Sequence, residues 1–238
     1  MNAPRVWVPA DQLAADQIAL PPEAARHLTQ ALRRRIGAPL ELLDGAGGRA
    51  PAELIETTSR RAVARRTGAV TRAPRPFPVT LVQGLPKSGK MDLIIQKAVE
   101  LGATRLIGLA CERSVVRLSA AEDDRLERWR RIAISALEQS GAPWLPEFLL
   151  AGSPADLPAA APDEARWLGA LDEPAPSLRA ALTAGAMAAI GPEGDFTPAE
   201  YAALRRAGFA PVSLGPNILR TETAALYALA VLTCEYGG

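Results

Sequence analysis

The stretch Gly191-Pro192-Glu193-Gly194-Asp195, read with Leu214-Gly215-Pro216-Asn217-Ile218-Leu219-Arg220, decides the fold of this chain. Each segment follows a short apolar run and leads into a helical pattern, the second through Thr221-Glu222-Thr223-Ala224. In open α/β sheets, ligands bind where strands deliver their carboxyl ends into such turns. Two of them, about one helix apart, can converge on one small molecule. Thr197-Pro198-Ala199-Glu200 reads as a capping box with proline at the first helical position, so a helix starts directly after the first turn.

Outward from these turns, strand-like runs at 79–83, 105–110, 166–171, 186–190 and 211–214 alternate with helix-like runs at 91–101, 122–139, 177–183, 198–207 and 222–235. The alternation predicts an α/β domain with a mainly parallel sheet over residues 79–238. Residues 154–165 read as a Pro- and Ala-rich connection. Three alternating prolines, Pro74, Pro76 and Pro78, forbid helix and disfavour a central strand, which places a linker at 73–78. Residues 1–72 then form a first domain. Short strands at 5–8, 40–43, 52–55 and 62–64, with the turn Asp44-Gly45-Ala46-Gly47-Gly48, predict a small closed barrel. A helix is expected over 22–35, with Pro22 and Glu23 in its first turn and Arg33, Arg34 and Arg35 at its basic end.

Composition narrows the function classes. The 238 residues are 48% hydrophobic and 22% charged, an ordinary balance for a folded soluble chain. The net charge of +1 hides an asymmetry, because residues 1–78 hold twelve arginines against seven carboxylates while the remainder is acidic. A basic excess is the footprint of phosphate-backbone contact, or else a solvated surface. The lysines, Lys87, Lys90 and Lys97, cluster within eleven positions. Two distant cysteines, Cys111 and Cys234, and a single histidine, His27, give neither a disulfide framework nor a metal set, so no metal is expected. The first residues lack the apolar core of a leader, and the longest apolar stretch, about 224–234, is shorter than the roughly 20 residues a bilayer span needs. A cytoplasmic protein without membrane contact is therefore expected.

Gly84-Leu85-Pro86-Lys87-Ser88-Gly89-Lys90 spells GxxxxGK between a strand and a helix, the pattern of a phosphate-cradling loop. Met91 occupies the position where that loop needs a hydroxyl for Mg²⁺, and Pro86 lacks an amide donor. A nucleotide hydrolase is thus disfavoured. Lys87 and Lys90 remain candidates for RNA phosphates or for plain solvent exposure.

The wording GPEGD with LGPNILRTETA resembles the cofactor-binding knot of the SPOUT RNA methyltransferases, and within them the 16S ribosomal RNA uridine-N3 methyltransferases. The likeness extends over nearly the whole chain. Arg5-Val6-Trp7-Val8 and His27-Leu28-Thr29-Gln30-Ala31-Leu32-Arg33 are similar to that family's opening segments, and the 84–91 stretch to its QGLPKGDKM. Glu112-Arg113-Ser114-Val115-Val116-Arg117, Arg128-Trp129-Arg130-Arg131-Ile132-Ala133 and Glu138-Gln139-Ser140-Gly141 are similar to its internal blocks, in the same order. Two positions depart. Asp195 stands where the family has a second glycine, and Ala142 where it often has arginine. Asp tolerates a left-handed backbone better than most residues.

The resemblance implies a PUA-like RNA-binding barrel at 1–72, followed by a SPOUT-type α/β domain with a deep C-terminal trefoil knot. It also implies S-adenosylmethionine as cofactor, 16S ribosomal RNA in the assembled small subunit as substrate, and a homodimer. Backbone groups in such turns can read an adenine edge, which makes Leu171, Ile190, Gly191, Pro192, Gly194, Leu214, Gly215, Ile218 and Leu219 the expected cofactor contacts. Arg5, Arg26, Arg33, Lys87, Lys90, Arg113 and Arg117 are the expected RNA contacts. Methylation at uridine N3 requires loss of the imide proton and stabilisation of the resulting charge. Arg220, Glu193 and Glu222 are the candidates for that chemistry. Each also has a structural reading: an ion-pair partner for Arg220, a brace for Glu193, a helix-dipole partner for Glu222. An RNA-binding ribosome-assembly module on the same fold is the alternative from another class. The helix at 222–235 is apolar around most of its circumference and needs burial on several sides, in a dimer or in a core.

Overall fold

The computed structural model describes residues 3–58, 61–87, 89–114, 122–159, 164–170, 174–182 and 186–236. The chain forms two compact units, Met1–Arg75 with Ile134–Leu145, and Pro76–Ala133 with Pro146–Gly238.

The first unit is built on strands β1 (Arg5–Trp7), β2 (Gln17–Ala19), β3 (Pro39–Leu43), β4 (Gly48–Thr57), β5 (Ala62–Arg66) and β6 (Thr71–Arg72). Their order is β1-β3-β4-β5-β2, with β6 beside β4. Alternation sets which side chains face inward: Leu40 and Leu42 of β3 are fully buried while Glu41 between them is not. They meet Val6, Ile18, Leu28 and Leu54 in one apolar core. Among the described residues the ladder stays open, with β1 and β2 as unpaired ends, so the expected closed barrel is not formed. Both end strands are three residues long, and the chain between them turns at Pro9, whose carbonyl accepts the Gln12 amide at 2.9 Å. That leaves little ladder with which to close.

The helix expected over 22–35 is shorter. Helix α1 (Pro22–Arg26) passes into one π-helical turn, His27–Ala31. Arg33 then adopts a left-handed angle, φ 48°, and the Arg34 amide reaches back to the Leu28 carbonyl at 2.8 Å. The left-handed Arg33 and the return of the Arg34 amide to Leu28 close the helix there, leaving Arg34 and Arg35 beyond its end.

Residues 134–145 fold onto this sheet. The half-buried Glu138 carboxylate accepts the Trp7 amide at 2.8 Å, and Arg5 donates to the Gln139 carbonyl at 3.0 Å while pairing with Glu41 at 3.1 Å. Trp144 lies so close over Gly47 that a Cβ there would meet its ring at 2.5 Å. Its indole donates to the Pro74 carbonyl at 3.0 Å. Burial pushes the Glu138 carboxyl above its ordinary range, partly offset by the Trp7 amide. Glu138→Ala should therefore leave a half-buried amide unpaired and cost about 1–3 kcal/mol in urea unfolding, while Glu138→Gln, which keeps an acceptor, should cost less. Equal losses would mean that the carboxylate's charge, and neither its packing nor its acceptor oxygen, holds the contact.

The second unit is a six-stranded sheet, parallel throughout, in the order β12-β10-β11-β7-β8-β9. Its strands are β7 (Val79–Gly84), β8 (Arg105–Leu109), β9 (Glu147–Ala151), β10 (Arg166–Gly169), β11 (Ala186–Ile190) and β12 (Phe209–Val212). Its helices are α2 (Lys90–Glu100), α3 (Glu122–Ser140, ending in the first unit), α4 (Leu178–Ala181), α5 (Pro198–Arg206) and α6 (Thr221–Tyr236). The two central strands, β7 and β11, are buried at every residue, which is why they lack a polar alternation; β11 is apolar throughout and β7 apolar but for Thr80 and Gln83. Pro211 is tolerated because β12 lies at the sheet edge.

Helix α6 buries Ala225, Ala228, Leu229 and Leu232 against α2, β7 and β11. Thr223, Tyr227, Ala230 and Cys234 form an exposed stripe along it. Among the described residues no helix is long and apolar enough to cross a membrane, and no cluster of metal-ligating side chains occurs.

Candidate functional site

At the carboxyl ends of β10, β11 and β12 lies a cavity of about 440 Å³. Both glycine turns line it, together with the start of α6 and Lys90 of α2. The turn after β11 is fixed from several sides. Thr197 and Glu200 form the expected reciprocal capping box, the Thr197 amide donating to the Glu200 carboxylate at 2.8 Å and the Glu200 amide to the Thr197 hydroxyl at 3.3 Å. Asp195 keeps the left-handed angle of a glycine, φ 57°, and its carboxylate accepts the Tyr201 hydroxyl at 2.8 Å. The departure from the family pattern thus preserves the turn and adds a tether.

Close backbone approach locks this turn to β7. A Cβ on Gly84 would lie 2.6 Å from Pro192 Cδ and 2.7 Å from the Pro192 nitrogen. Beside it, fully buried Gln83 donates from Nε2 to the Gly84 carbonyl and to the Thr221 hydroxyl, each at 2.9 Å. Thr221 in turn donates to the Gly191 carbonyl at 2.6 Å. One amide and one hydroxyl therefore join β7, the first turn and α6.

Of the expected cofactor contacts, Ile190, Gly191, Pro192, Leu214, Gly215, Ile218 and Leu219 line the cavity. Gly194 does not; it faces Arg113, whose guanidinium donates to the Gly194 carbonyl at 2.9 Å. Leu171 and Arg117 lie outside the described residues. Gly215 has φ 125°, and a Cβ there would meet nothing within 4 Å, so the backbone borders open space. Ile218 is 83% exposed at the cavity lip, an apolar side chain available to a ligand.

Arg220 lines the cavity, is exposed, and forms no ion pair among the described residues, unlike the salt-bridge reading of it. Glu193 and Glu222 both pair with the Lys90 ammonium, at 3.2 and 3.1 Å. Lys90, expected at RNA phosphates, is thus held between two carboxylates. Burial pushes the Glu193 carboxyl up, but amide hydrogen bonds and Lys90 outweigh it and hold the group below the ordinary carboxylate range. Glu222 is lowered in the same way, with Arg220 adding a small pull. Lys90 is raised, chiefly by Glu222. These pairs add stability above the ordinary carboxylate range and lose it as pH falls through the lowered values; Lys90's share persists until pH rises through its raised value.

The phosphate-loop reading of 84–90 fails on its amides. Leu85 donates to the Leu109 carbonyl at 2.9 Å, and Lys87 to the Glu193 carboxylate at 3.2 and 3.3 Å, so neither points into a free cradle. Ser88 lies outside the described residues. Cys111, whose Sγ would lie 3.1 Å from a Cβ on Gly84, is buried. Burial, reinforced by Glu200, pushes its thiol up to about 12.

In the first unit, Arg26 and Arg33 are exposed, whereas Arg5 is committed to Glu41 and Gln139. Lys87 and Arg113 are exposed beside the first turn. Sequence reading missed Gln83, Thr221 and the pocket role of Lys90. The one visible signal was a polar residue closing the apolar run 79–82.

An RNA methyltransferase domain family matches residues 73–233 of the chain. Ribosomal RNA small subunit methyltransferase E of Synechocystis sp. is 35% identical over 95% of this chain and 76% of its own length. The enzyme of the same name from Mycobacterium bovis is 35% identical over 85% of this chain and 80% of its own. The crystal structure of ribosomal RNA small subunit methyltransferase E from Neisseria gonorrhoeae bound to S-adenosylmethionine superimposes with a TM-score of 0.87 at 32% identity, covering 99% of this chain and 98% of that one. With both glycine turns meeting at one cavity on that shared fold, the chain belongs to the ribosomal RNA small subunit methyltransferase E family.

Proposed function

We propose that the cavity binds S-adenosylmethionine and that the chain methylates N3 of a specific uridine in 16S ribosomal RNA. The observation that supports this most strongly is convergence: both turns and the start of α6 line one cavity of about 440 Å³, within the usual size of small-molecule sites. The residues fit the cofactor. Open space beside Gly215 admits a flat ring against backbone, and Ile190, Leu214 and Ile218 supply apolar surface.

When bound, the cofactor supplies a sulfonium-activated methyl carbon. The uridine N3 lone pair forms the new C–N bond as the C–S bond breaks, the bonding pair stays on sulfur, and the imide proton passes to solvent. Arg220, with its planar fork of donors, stabilises the charge that develops on the two oxygens flanking N3. Glu193 and Glu222, ionised and paired with Lys90, are weak proton acceptors and act on the reaction through their charge.

The same reading gives the rest of the fold its roles. Strand β11 lies between β10 and β7, and the chain leaving it crosses β10 to reach β12 before entering α6, an arrangement compatible with a trefoil knot. The exposed Thr223, Tyr227, Ala230 and Cys234 stripe of α6 is offered as the homodimer face. The first unit, as a PUA-like module, holds ribosomal RNA through exposed Arg26 and Arg33, with Lys87 and Arg113 engaging RNA beside the pocket.

Arg26→Ala with Arg33→Ala should weaken RNA binding across sequences and reduce the log-log salt slope by about two, one for each phosphate that is no longer neutralised. Cofactor affinity should not move. A salt slope equal to that of the wild type would assign both arginines to solvent. Calorimetry tests the cofactor assignment: S-adenosylmethionine should bind saturably, and Mg²⁺-ATP should not. The reverse result would reject it.

A further inference from the structure

The Lys90 ammonium is the point at which three elements of the pocket meet. Lys90 opens α2 and lines the cavity. Glu193 belongs to the first turn, and Glu222 to the first turn of α6, directly after the second. Glu193 is also held by the Lys87 amide, so its carboxylate cannot swing away from the cavity without losing that bond. The three side chains are 32%, 28% and 16% exposed, sheltered enough that solvent only partly screens their charges.

Charge counting then constrains the site. Two carboxylates face one ammonium; Asp195 and Arg220, which also line the cavity, add one charge of each sign, so the five groups carry a net charge of about −1 with Lys90 in place and would be more negative without it. Without Lys90, two half-buried carboxylates, Glu193 lining the cavity and Glu222 next to the lining residue Thr221, would lose their shared counter-ion where a phosphodiester and a base losing its N3 proton must enter. Like charges so placed repel each other and the incoming nucleotide.

We propose that Lys90 is a charge-compensating positioning residue for methyl transfer: it pins the first turn to α6 through Glu193 and Glu222 and offsets their charge so that an anionic nucleotide can enter. This rests on the function proposed above. It assigns Lys90 no contact with RNA phosphate.

The test compares wild type, Lys90→Met, Lys90→Arg, and Lys90→Met combined with Glu193→Gln and Glu222→Gln. Methyl transfer from S-adenosylmethionine to unmodified small subunits and thermal unfolding of the ligand-free protein are measured on each. Lys90→Met should lower kcat/KM at least about tenfold and the unfolding midpoint by about 3 °C. Lys90→Arg should recover most of both. The triple variant should exceed Lys90→Met in both readouts, because no carboxylate is left uncompensated. A residue acting only by packing predicts the opposite, since the triple variant alters more of the packed surface than the single one. A triple variant no better than Lys90→Met, or a Lys90→Met protein equal to wild type, overturns the proposal. If wild type transfers no methyl group, the proposed function fails, and the unfolding series alone then decides whether Lys90 compensates the two carboxylates.

Discussion

Arg220→Ala is expected to lower turnover by about 10²–10³-fold while changing S-adenosylmethionine affinity only slightly. The reason is a division of labour within the pocket. In the proposed site cofactor recognition falls to backbone and apolar groups of the two turns, whereas the Arg220 guanidinium lines the cavity without an ion-pair partner among the described residues. A cation at the cavity, committed to no carboxylate, can act on charge that exists only in the transition state, and removing one such donor typically costs this much. Single-turnover rates with small subunits, set beside calorimetric affinities, separate the effects. Equal losses in both would place Arg220 in the cofactor site.

Gly84→Ala should damage the fold and the pocket together. The new Cβ would press on the Pro192 ring and its backbone nitrogen at 2.6 and 2.7 Å, where no flexible side-chain end can give way. Either β7 or the first turn must move. Overpacking of this kind costs about 1–3 kcal/mol. Because that turn lines the cavity, cofactor affinity should fall along with the unfolding midpoint. Gly208→Ala is the control: its Cβ would meet nothing within 4 Å, although its φ of 89° adds strain to the substitution. A Gly84→Ala protein with native stability and affinity would mean that the close approach positions nothing.

Much of the second unit was legible because its physics is local. The capping box at Thr197 and Glu200, the glycine turns and the apolar runs of β7 and β11 are each fixed by neighbours in the chain. What stayed hidden depends on partners far away. Strand β9 shows no alternation, since it is a half-buried edge that starts at Glu147. Strands β2 and β6 are three and two residues long, too short for a period to register. The open ladder of the first unit could not be told from a barrel, because closure depends on whether β1 and β2 meet. The addition of residues 134–145 to that unit turns on Glu138 and Trp144, whose partners lie 131 and 70 positions away.

The site divides along the same line. Its turns could be read, but its electrostatics could not. Lys90 looked like a phosphate ligand from the GxxxxGK spacing, and only the fold brings Glu193 and Glu222, both more than a hundred positions downstream, onto its ammonium. Gln83 likewise reaches Thr221 across 138 positions. A carboxylate in a sequence is a candidate base until its counter-ion is known. Here the counter-ion shifts both glutamates from proton acceptors toward fixed charges.

The most direct measurement of the central claim is to incubate the protein with methyl-labelled S-adenosylmethionine and small ribosomal subunits from a strain lacking this activity, then map the label by nuclease digestion and mass spectrometry. The account predicts one labelled methyl group per subunit, on N3 of a single uridine of 16S ribosomal RNA. Label on a ribose or another base, or no label in the presence of bound cofactor, would contradict it.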